Sequence, residues 1–576
     1  MSGVRPLLAG VPAAPGIARG PWAEVGRPAL PAARSLEASE VAAEIDRLRQ
    51  AAKAAGRELR ELAASVRDAG HPEEAEIFTA HALMARDPDL IDAAALEIER
   101  GHVDAVGAVL ASGRAVASRL GAIEDERLRG RATDIRDVAD RIARHAAGLP
   151  TDIGLEGPAV VVAEDLPPSI AATLPRDRIL GIALERSSPT AHAAILARAY
   201  GIPAVVGAIG LLDALRAAGP RAQVAIDGSS GEVVVAPAEA DVARFDLRAA
   251  AGADARARDL AEATEPAQTL DGVTVTLLAN IGSPDECDPA IALGAVGVGL
   301  FRTEFLFLER SQPPTEDEQV AAYRRVVEAF PGQPVTIRLL DVGGDKPIPY
   351  LPLPHEENPF LGVRALRLAG ARPDIFVTQL RACYRAATAG PIRIMAPMVA
   401  DASDVAVLLE LASEAREGLA RDRLDGGDAE LGVMLEIPSA VLTAASYFDE
   451  IAFASLGTND LLQYTLAVDR GNPALERYRD ALHPALLSLI ATAAETAARR
   501  GVALSVCGEM AGDPIAALAL VGLGIRSLSM TAASLPAVRR AIRKANAGAL
   551  AAAARQAISD RSAADARSRL ASVFPG

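Results

Sequence analysis

The chain reads as a multidomain α/β protein ending in a (β/α)8 TIM barrel, and three observations predict this. Its 576 residues suit three or so domains at roughly 100–200 residues each. From about Glu37 to Ala147, Glu, Arg, Ala and Leu recur at helical spacing, as in Val41-Ala42-Ala43-Glu44-Ile45-Asp46-Arg47-Leu48, with few β-branched runs. Beyond Val273, eight short apolar runs follow, most separated by helical patterns, the size and rhythm of alternating barrel strands and helices.

In chain order, residues 1–30 are rich in Gly and Pro (Gly10-Val11-Pro12-Ala13-Ala14-Pro15-Gly16-Ile17) and predict a short strand with turns. The helical texture that follows predicts a bundle of about four helices. Pro150 to Pro237 predicts an α/β segment with strands at Ala159–Ala163, Arg178–Leu184, Ala204–Val206, Val224–Asp227 and Glu232–Val235. Asp227-Gly228-Ser229-Ser230-Gly231-Glu232 has the composition of a hairpin turn between the last two. An Ala/Arg/Asp-rich helix over about 238–265 links to the barrel. The barrel strands are expected at Val273–Ala279, Val296–Leu300, Val335–Leu340, Ile392–Ala396, Leu431–Glu436, Ile451–Leu456, Ala503–Cys507 and Arg526–Ser529.

Composition narrows the class. With 50% hydrophobic, 23% charged and only 3% aromatic residues, the cores must be built from Ala, Val, Leu and Ile. A net charge of −16 argues against nucleic-acid binding and suits a soluble protein. Cys287, Cys383 and Cys507 form no CxxC pair, which fits a reducing compartment. No signal-peptide pattern and no apolar run of about 18 residues is found, so the expectation is a cytoplasmic protein without membrane insertion.

One stretch, Pro189-Thr190-Ala191-His192-Ala193-Ala194-Ile195-Leu196-Ala197-Arg198, holds one of only 7 histidines. Thr190 is a good N-cap. His192 then falls in the first helical turn, where free N–H groups and the helix dipole favour an anion. Two readings stay open: an imidazole carrying a phosphate, and a capping or packing histidine. The stretch alone slightly favours the second.

Functional groups of such a barrel gather at the C-terminal ends of its strands. Those ends read Phe301-Arg302-Thr303-Glu304, then Arg338 running into Asp341-Val342-Gly343-Gly344-Asp345-Lys346, then Glu436-Ile437-Pro438, Gly457-Thr458-Asn459-Asp460 followed by Arg470, and Cys507-Gly508-Glu509-Met510. Arginine forks bind phosphate and carboxylate oxygens, and Glu436 and Asp460 offer hard oxygen donors for Mg²⁺. Arg302, Arg338, Arg470, Asn459 and these carboxylates together suit a small phosphorylated carboxylic acid with a divalent cation. Cys507 reads as a small core hydrophobe, with the alternative of a proton donor whose thiol titrates within reach of neutral pH.

Several segments carry a resemblance over essentially the full length. They are Ser455-Leu456-Gly457-Thr458-Asn459-Asp460-Leu461-Leu462-Gln463-Tyr464-Thr465 through Arg470, Thr190-Ala191-His192 through Arg198, Gly10 to Gly20, Arg131-Ala132-Thr133-Asp134-Ile135-Arg136-Asp137, and Asn358-Pro359-Phe360-Leu361-Gly362-Val363-Arg364. The chain resembles the enzyme I family of the phosphoenolpyruvate-dependent sugar phosphotransferase system (phosphoenolpyruvate–protein phosphotransferase). That resemblance implies a swivelling phosphohistidine α/β domain (1–30 plus 148–237) with an inserted helical HPr-binding domain (31–147). A helical linker (238–265) and a phosphoenolpyruvate-binding barrel (266–576) complete the implied order.

By the same resemblance, His192 accepts the phosphoryl group and passes it to a histidine of the carrier HPr, the first step of sugar uptake. Arg302, Arg338, Arg470 and Asn459 with Asp460 hold the substrate. Glu436 and Asp460 bind Mg²⁺, Cys507 protonates the enolate that becomes pyruvate, and Arg364 also lines the site. A homodimer through the barrel is implied. His81 falls in the HPr-docking segment, with acidic Glu73, Glu74 and Asp87 nearby.

Departures from the family pattern sit next to His192. Ser187-Ser188 stand where two glycines are typical, and Thr190-Ala191 stand where Thr-Ser is. Glycines there would allow close backbone approach or positive φ, and the missing hydroxyl removes one hydrogen bond to phosphate. The rival readings are a paralogue serving a non-sugar phosphorelay and a catalytically silent HPr-binding regulator. A dikinase or synthase that shares the swivelling domain and barrel would also need an ATP-binding domain, for which the chain shows no Gly-rich loop or spare length.

Overall fold

The computed structural model describes residues 7–25, 30–68, 72–121, 126–151, 155, 157–166, 175–187, 192–307, 310, 312–343, 350–351, 356–469 and 473–574. It divides into two compact units, Met1–Ala255 and Arg256–Gly576. Helix Glu239–Ala261 runs across that division.

In the first unit, five described helices (Val41–Asp68, Pro72–Met84, Pro88–Gly101, Ala105–Gly121 and Glu126–Ala147) form the bundle, one more than the periodicity suggested. The first buries Leu48, Ala51, Ala52, Ala55, Leu59, Ala63 and Val66, one stripe at three- and four-residue spacing. Helix Pro88–Gly101 starts where Asp87 accepts from the Asp89 N–H and ends at His102 in the left-handed conformation, a capped start and a defined stop. His81 is 1% exposed, with its Nε2 3.3 Å from Asp134 and Nδ1 3.8 Å from Asp137. Its ring therefore lies in the bundle interior. The side chains of Glu73 and Glu74 lie outside the described residues.

The same unit holds a sheet of eight strands: β1 (Leu7–Ala9), β2 (Val11–Ala14), β3 (Ile17–Glu24), β4 (Ala159–Ala163), β5 (Ile179–Leu184), β6 (Ala204–Val206), β7 (Gln223–Asp227) and β8 (Glu232–Val235). Their order is β1-β8-β7-β3-β4-β5-β6-β2. Thus the opening residues of the chain pair with strands that follow the bundle: β3 lies parallel to β4 and antiparallel to β7. The β7–β8 hairpin forms across the predicted turn, in register Asp227↔Glu232.

The second unit is a closed barrel of eight parallel strands. They are β9 (Thr276–Ile281), β10 (Val298–Arg302), β11 (Val335–Arg338), β12 (Ile392–Ala396), β13 (Ala429–Leu435), β14 (Phe453–Leu456), β15 (Ala503–Val506) and β16 (Ser527–Met530). All eight expected strands are present. Val273–Ala279 and Val296–Leu300 shift two to three residues toward the C-terminus, and both observed strands are buried along most of their length, so apolar content alone does not mark their ends. Alternate residues point outward to the helices or inward, where Leu300, Met395, Met434, Phe453 and Cys507 form a small inner cluster. No described helix is long and apolar enough to cross a membrane.

Candidate active site

A cavity of about 250 Å³ opens at the C-terminal ends of the barrel strands. Arg302 and Leu300 reach it from β10, Arg338 from β11, and Met434 and Glu436 from the end of β13; Gly457, Asn459 and Asp460 follow β14, and Cys507, Gly508 and Glu509 follow β15. Asp341, Gly343 and Arg364 complete the lining. Parallel strands bring these distant positions together because each strand ends at the same rim.

The rim is held by buried charges. Glu304, fully buried, accepts from Arg338 Nη2 at 2.9 Å and from the Asp341 main-chain N–H at 3.1 Å. Arg338 Nη1 lies 3.1 Å from Asp341. Arg364 Nη2 donates to both Asp341 oxygens at 2.9 Å and to Asp460 Oδ2 at 3.3 Å. Burial alone would lower both guanidinium pKa values, but the surrounding carboxylates outweigh it and hold both above their ordinary value. A neutral network lies beneath: Thr303 Oγ1 donates to the Arg338 carbonyl at 2.8 Å, and Gln379 Nε2 donates to Thr303 at 3.0 Å.

Glu436 accepts from the Met398 N–H at 2.6 Å. Burial, reinforced by the carboxylates of Asp460 and Asp341, pushes its carboxyl up to about 8, against the pull of Arg338 and Arg364. Among the described residues, no group of three or more His, Cys, Asp or Glu is arranged to hold a metal by itself. Two crowded carboxylates nevertheless suit a divalent cation that keeps waters and takes its other oxygens from a phosphorylated substrate.

Cys507 corrects the expectation of a thiol titrating near neutral pH. Burial raises it to about 11, Ser455 lowers it in part, Glu436 raises it further, and Arg338 and Arg302 pull it down. The thiol is therefore held protonated. Its backbone is fixed by Asn280 of β9, whose Nδ2 donates to the Cys507 carbonyl at 3.0 Å while its Oδ1 accepts from Ser529 at 2.5 Å.

The structure thus brings Arg302, Arg338, Glu436, Asn459, Asp460 and Cys507 to one cavity. Arg470, Thr190 and Ala191 lie outside the described residues. His192 lies at the start of the described helix His192–Ala199 in the first unit, its side chain is not among those described, and the expected Thr190 cap lies outside the described residues.

Three family models match the chain in order: PEP-utilising enzyme, N-terminal (residues 9–131), mobile domain (155–231) and PEP-binding domain (256–547). A phosphoenolpyruvate-protein phosphotransferase of Streptomyces coelicolor is 42% identical over 581 residues, covering 99% of both chains. The chain belongs to the phosphoenolpyruvate–protein phosphotransferase family. A second such protein, from Geobacillus stearothermophilus, is 39% identical over 93% of this chain and 92% of its own. A multiphosphoryl transfer protein of Rhodobacter capsulatus is 40% identical over 92% of this chain, which spans only 63% of that longer protein.

The chain is accordingly a phosphotransferase, and its PEP-binding-domain match contains every barrel strand. Four residues of this phosphotransferase escaped assignment from sequence: Glu304, Asp341, Glu509 and Asn280. Glu304 and Asp341 stand two and three residues beyond Arg302 and Arg338, so a search for acids just past strand ends could have found them. Nothing in the sequence pairs Asn280 with Cys507.

Proposed function

We propose that the chain takes the phosphoryl group of phosphoenolpyruvate onto His192 and hands it to a histidine of HPr, releasing pyruvate as the first step of sugar phosphotransferase uptake. The observation that carries this reading is the convergence of Arg302, Arg338, Glu436, Asn459, Asp460 and Cys507 on one cavity. Family membership supports the donor.

Arg302, Arg338, Arg470 and Asn459 hold the substrate oxygens, with Arg338 pre-set by Glu304 and Asp341. Glu436 and Asp460 would hold Mg²⁺, which when bound offsets negative charge on the transferring group. His192 Nε2 attacks phosphorus in line, the P–O bond to the enolate breaks, and the imidazole carries the phosphoryl group. The Cys507 S–H gives its proton to the methylene carbon of the enolate, forming pyruvate, and the thiolate regains a proton from solvent.

This reading divides the chain as 1–30 plus 148–237 for the phosphohistidine domain, 31–147 for HPr docking, 238–265 as hinge and 266–576 as the donor site. It includes a homodimer through the barrel and a cytoplasmic location. Pyruvate release tests it: without HPr and with Mg²⁺, about one pyruvate per chain is expected, and continuous turnover once HPr is added. Sustained release without any carrier would contradict it.

A further inference from the structure

Asn459 and Glu509 are joined by two hydrogen bonds running in opposite directions. Asn459 Nδ2 donates to Glu509 Oε1 at 3.1 Å, and the Glu509 main-chain N–H donates to Asn459 Oδ1 at 3.0 Å. Only one amide orientation satisfies both, because a main-chain N–H can only donate and a carboxylate can only accept. The Asn459 oxygen is therefore turned toward the Glu509 N–H, and the second Nδ2 hydrogen, a donor, is not used by Glu509.

The neighbouring contact ties the same two segments. A Cβ on Gly508 would lie 1.9 Å from Thr458 Oγ1 and 2.7 Å from the Thr458 nitrogen, so only glycine permits this approach. Helix Thr458–Leu466 and the turn after β15 are thus joined side by side, with Asn459 and Asp460 on one and Cys507 on the other.

We propose that Glu509 is a positioning residue that fixes the Asn459 amide so that it presents N–H, and not C=O, to an anionic oxygen of the substrate. The inference rests on the donor-site reading above. It explains why a carboxylate lines a cavity meant for a ligand that carries both an anionic phosphate and a carboxylate, where its charge alone opposes binding.

That opposition gives the test its sign. A Glu509 that acted only as a charge would hinder the ligand, so Glu509→Ala would tighten binding. A positioning Glu509 predicts the reverse: in calorimetry with phosphoenolpyruvate and Mg²⁺, run in a His192→Ala background for every protein compared so that no phosphoryl transfer consumes the ligand, Glu509→Ala binds about tenfold more weakly, the worth of one charge-assisted hydrogen bond. Glu509→Gln keeps the accepting oxygen and sheds the charge, so it binds as well as the unaltered chain or better. Thermal midpoints should agree among the three proteins. Glu509→Ala binding as tightly as the unaltered chain, or Glu509→Gln failing like Glu509→Ala, would overturn the inference. An unaltered chain that binds phosphoenolpyruvate without transferring its phosphoryl group would instead overturn the function proposed above.

Discussion

Arg364 and Asp460 meet at 3.3 Å in the barrel mouth, through the same Arg364 nitrogen that bonds both oxygens of Asp341. This contact closes a chain of alternating buried charges, Glu304, Arg338, Asp341, Arg364 and Asp460. Each member is buried, so each depends on its neighbours for the solvation that water would otherwise give. The carboxylate assigned to the cation and an arginine assigned to the substrate are thereby set by one connected network.

Removing the link should be costly. Arg364→Met leaves Asp341 and Asp460 beside Glu436 without their shared cation, and breaking a buried pair in this way costs about 3 kcal/mol or more. Denaturant unfolding should show that loss, with weaker phosphoenolpyruvate binding. An unchanged unfolding midpoint would show that the link is not needed for stability.

Cys507 should act as a permanently loaded acid. Because burial raises its thiol to about 11, the proton stays in place across the neutral range, and the pH–rate profile should show no thiol limb between about pH 6 and 9. Cys507→Ala should bind phosphoenolpyruvate normally but form pyruvate about 10²-fold more slowly, the scale of a lost general acid. Equal turnover in that variant would return Cys507 to core packing.

The helical bundle carries its own acid sensitivity at Glu58. His145 Nε2 and Thr151 Oγ1 lie 2.7 and 2.6 Å from its carboxylate, and the buried Arg141 pairs with it. Burial works to raise this carboxyl, but the hydrogen bonds from His145 and Thr151 and the charge of Arg141 prevail and bring it from 4.5 down to about 2. A depressed carboxylate stabilises the fold fully above its ordinary value, and the contribution fades as pH falls through the folded one. The thermal midpoint should therefore drop between about pH 4.5 and 2, and Glu58→Gln should flatten part of that slope. Parallel acid curves for the two proteins would contradict this.

The architecture was largely legible in the sequence because period carries it. The strand expected at Ile392–Ala396 has those same bounds in the structure, and the apolar run after His192 is helical. The site's composition was legible too, since strand ends of a barrel converge whatever the loops do. What stayed hidden were relationships across the chain. Glu304 and Arg338 are 34 residues apart, and Asn280 and Cys507 are 227 apart, so no local pattern links them. Of the two readings of Cys507, burial in the inner cluster holds, while the height of its thiol pKa was hidden for the same reason: its desolvation comes from the closed barrel around it, not from its neighbours in sequence.

The central claim is tested most directly by mapping the phosphoryl group. The chain is incubated with phosphoenolpyruvate labelled on phosphorus and with Mg²⁺, then digested under alkaline conditions that preserve phosphohistidine. The label should appear on the peptide containing His192 and be absent from His192→Ala. Label retained by His192→Ala, or found on another residue of the unaltered chain, would contradict the account.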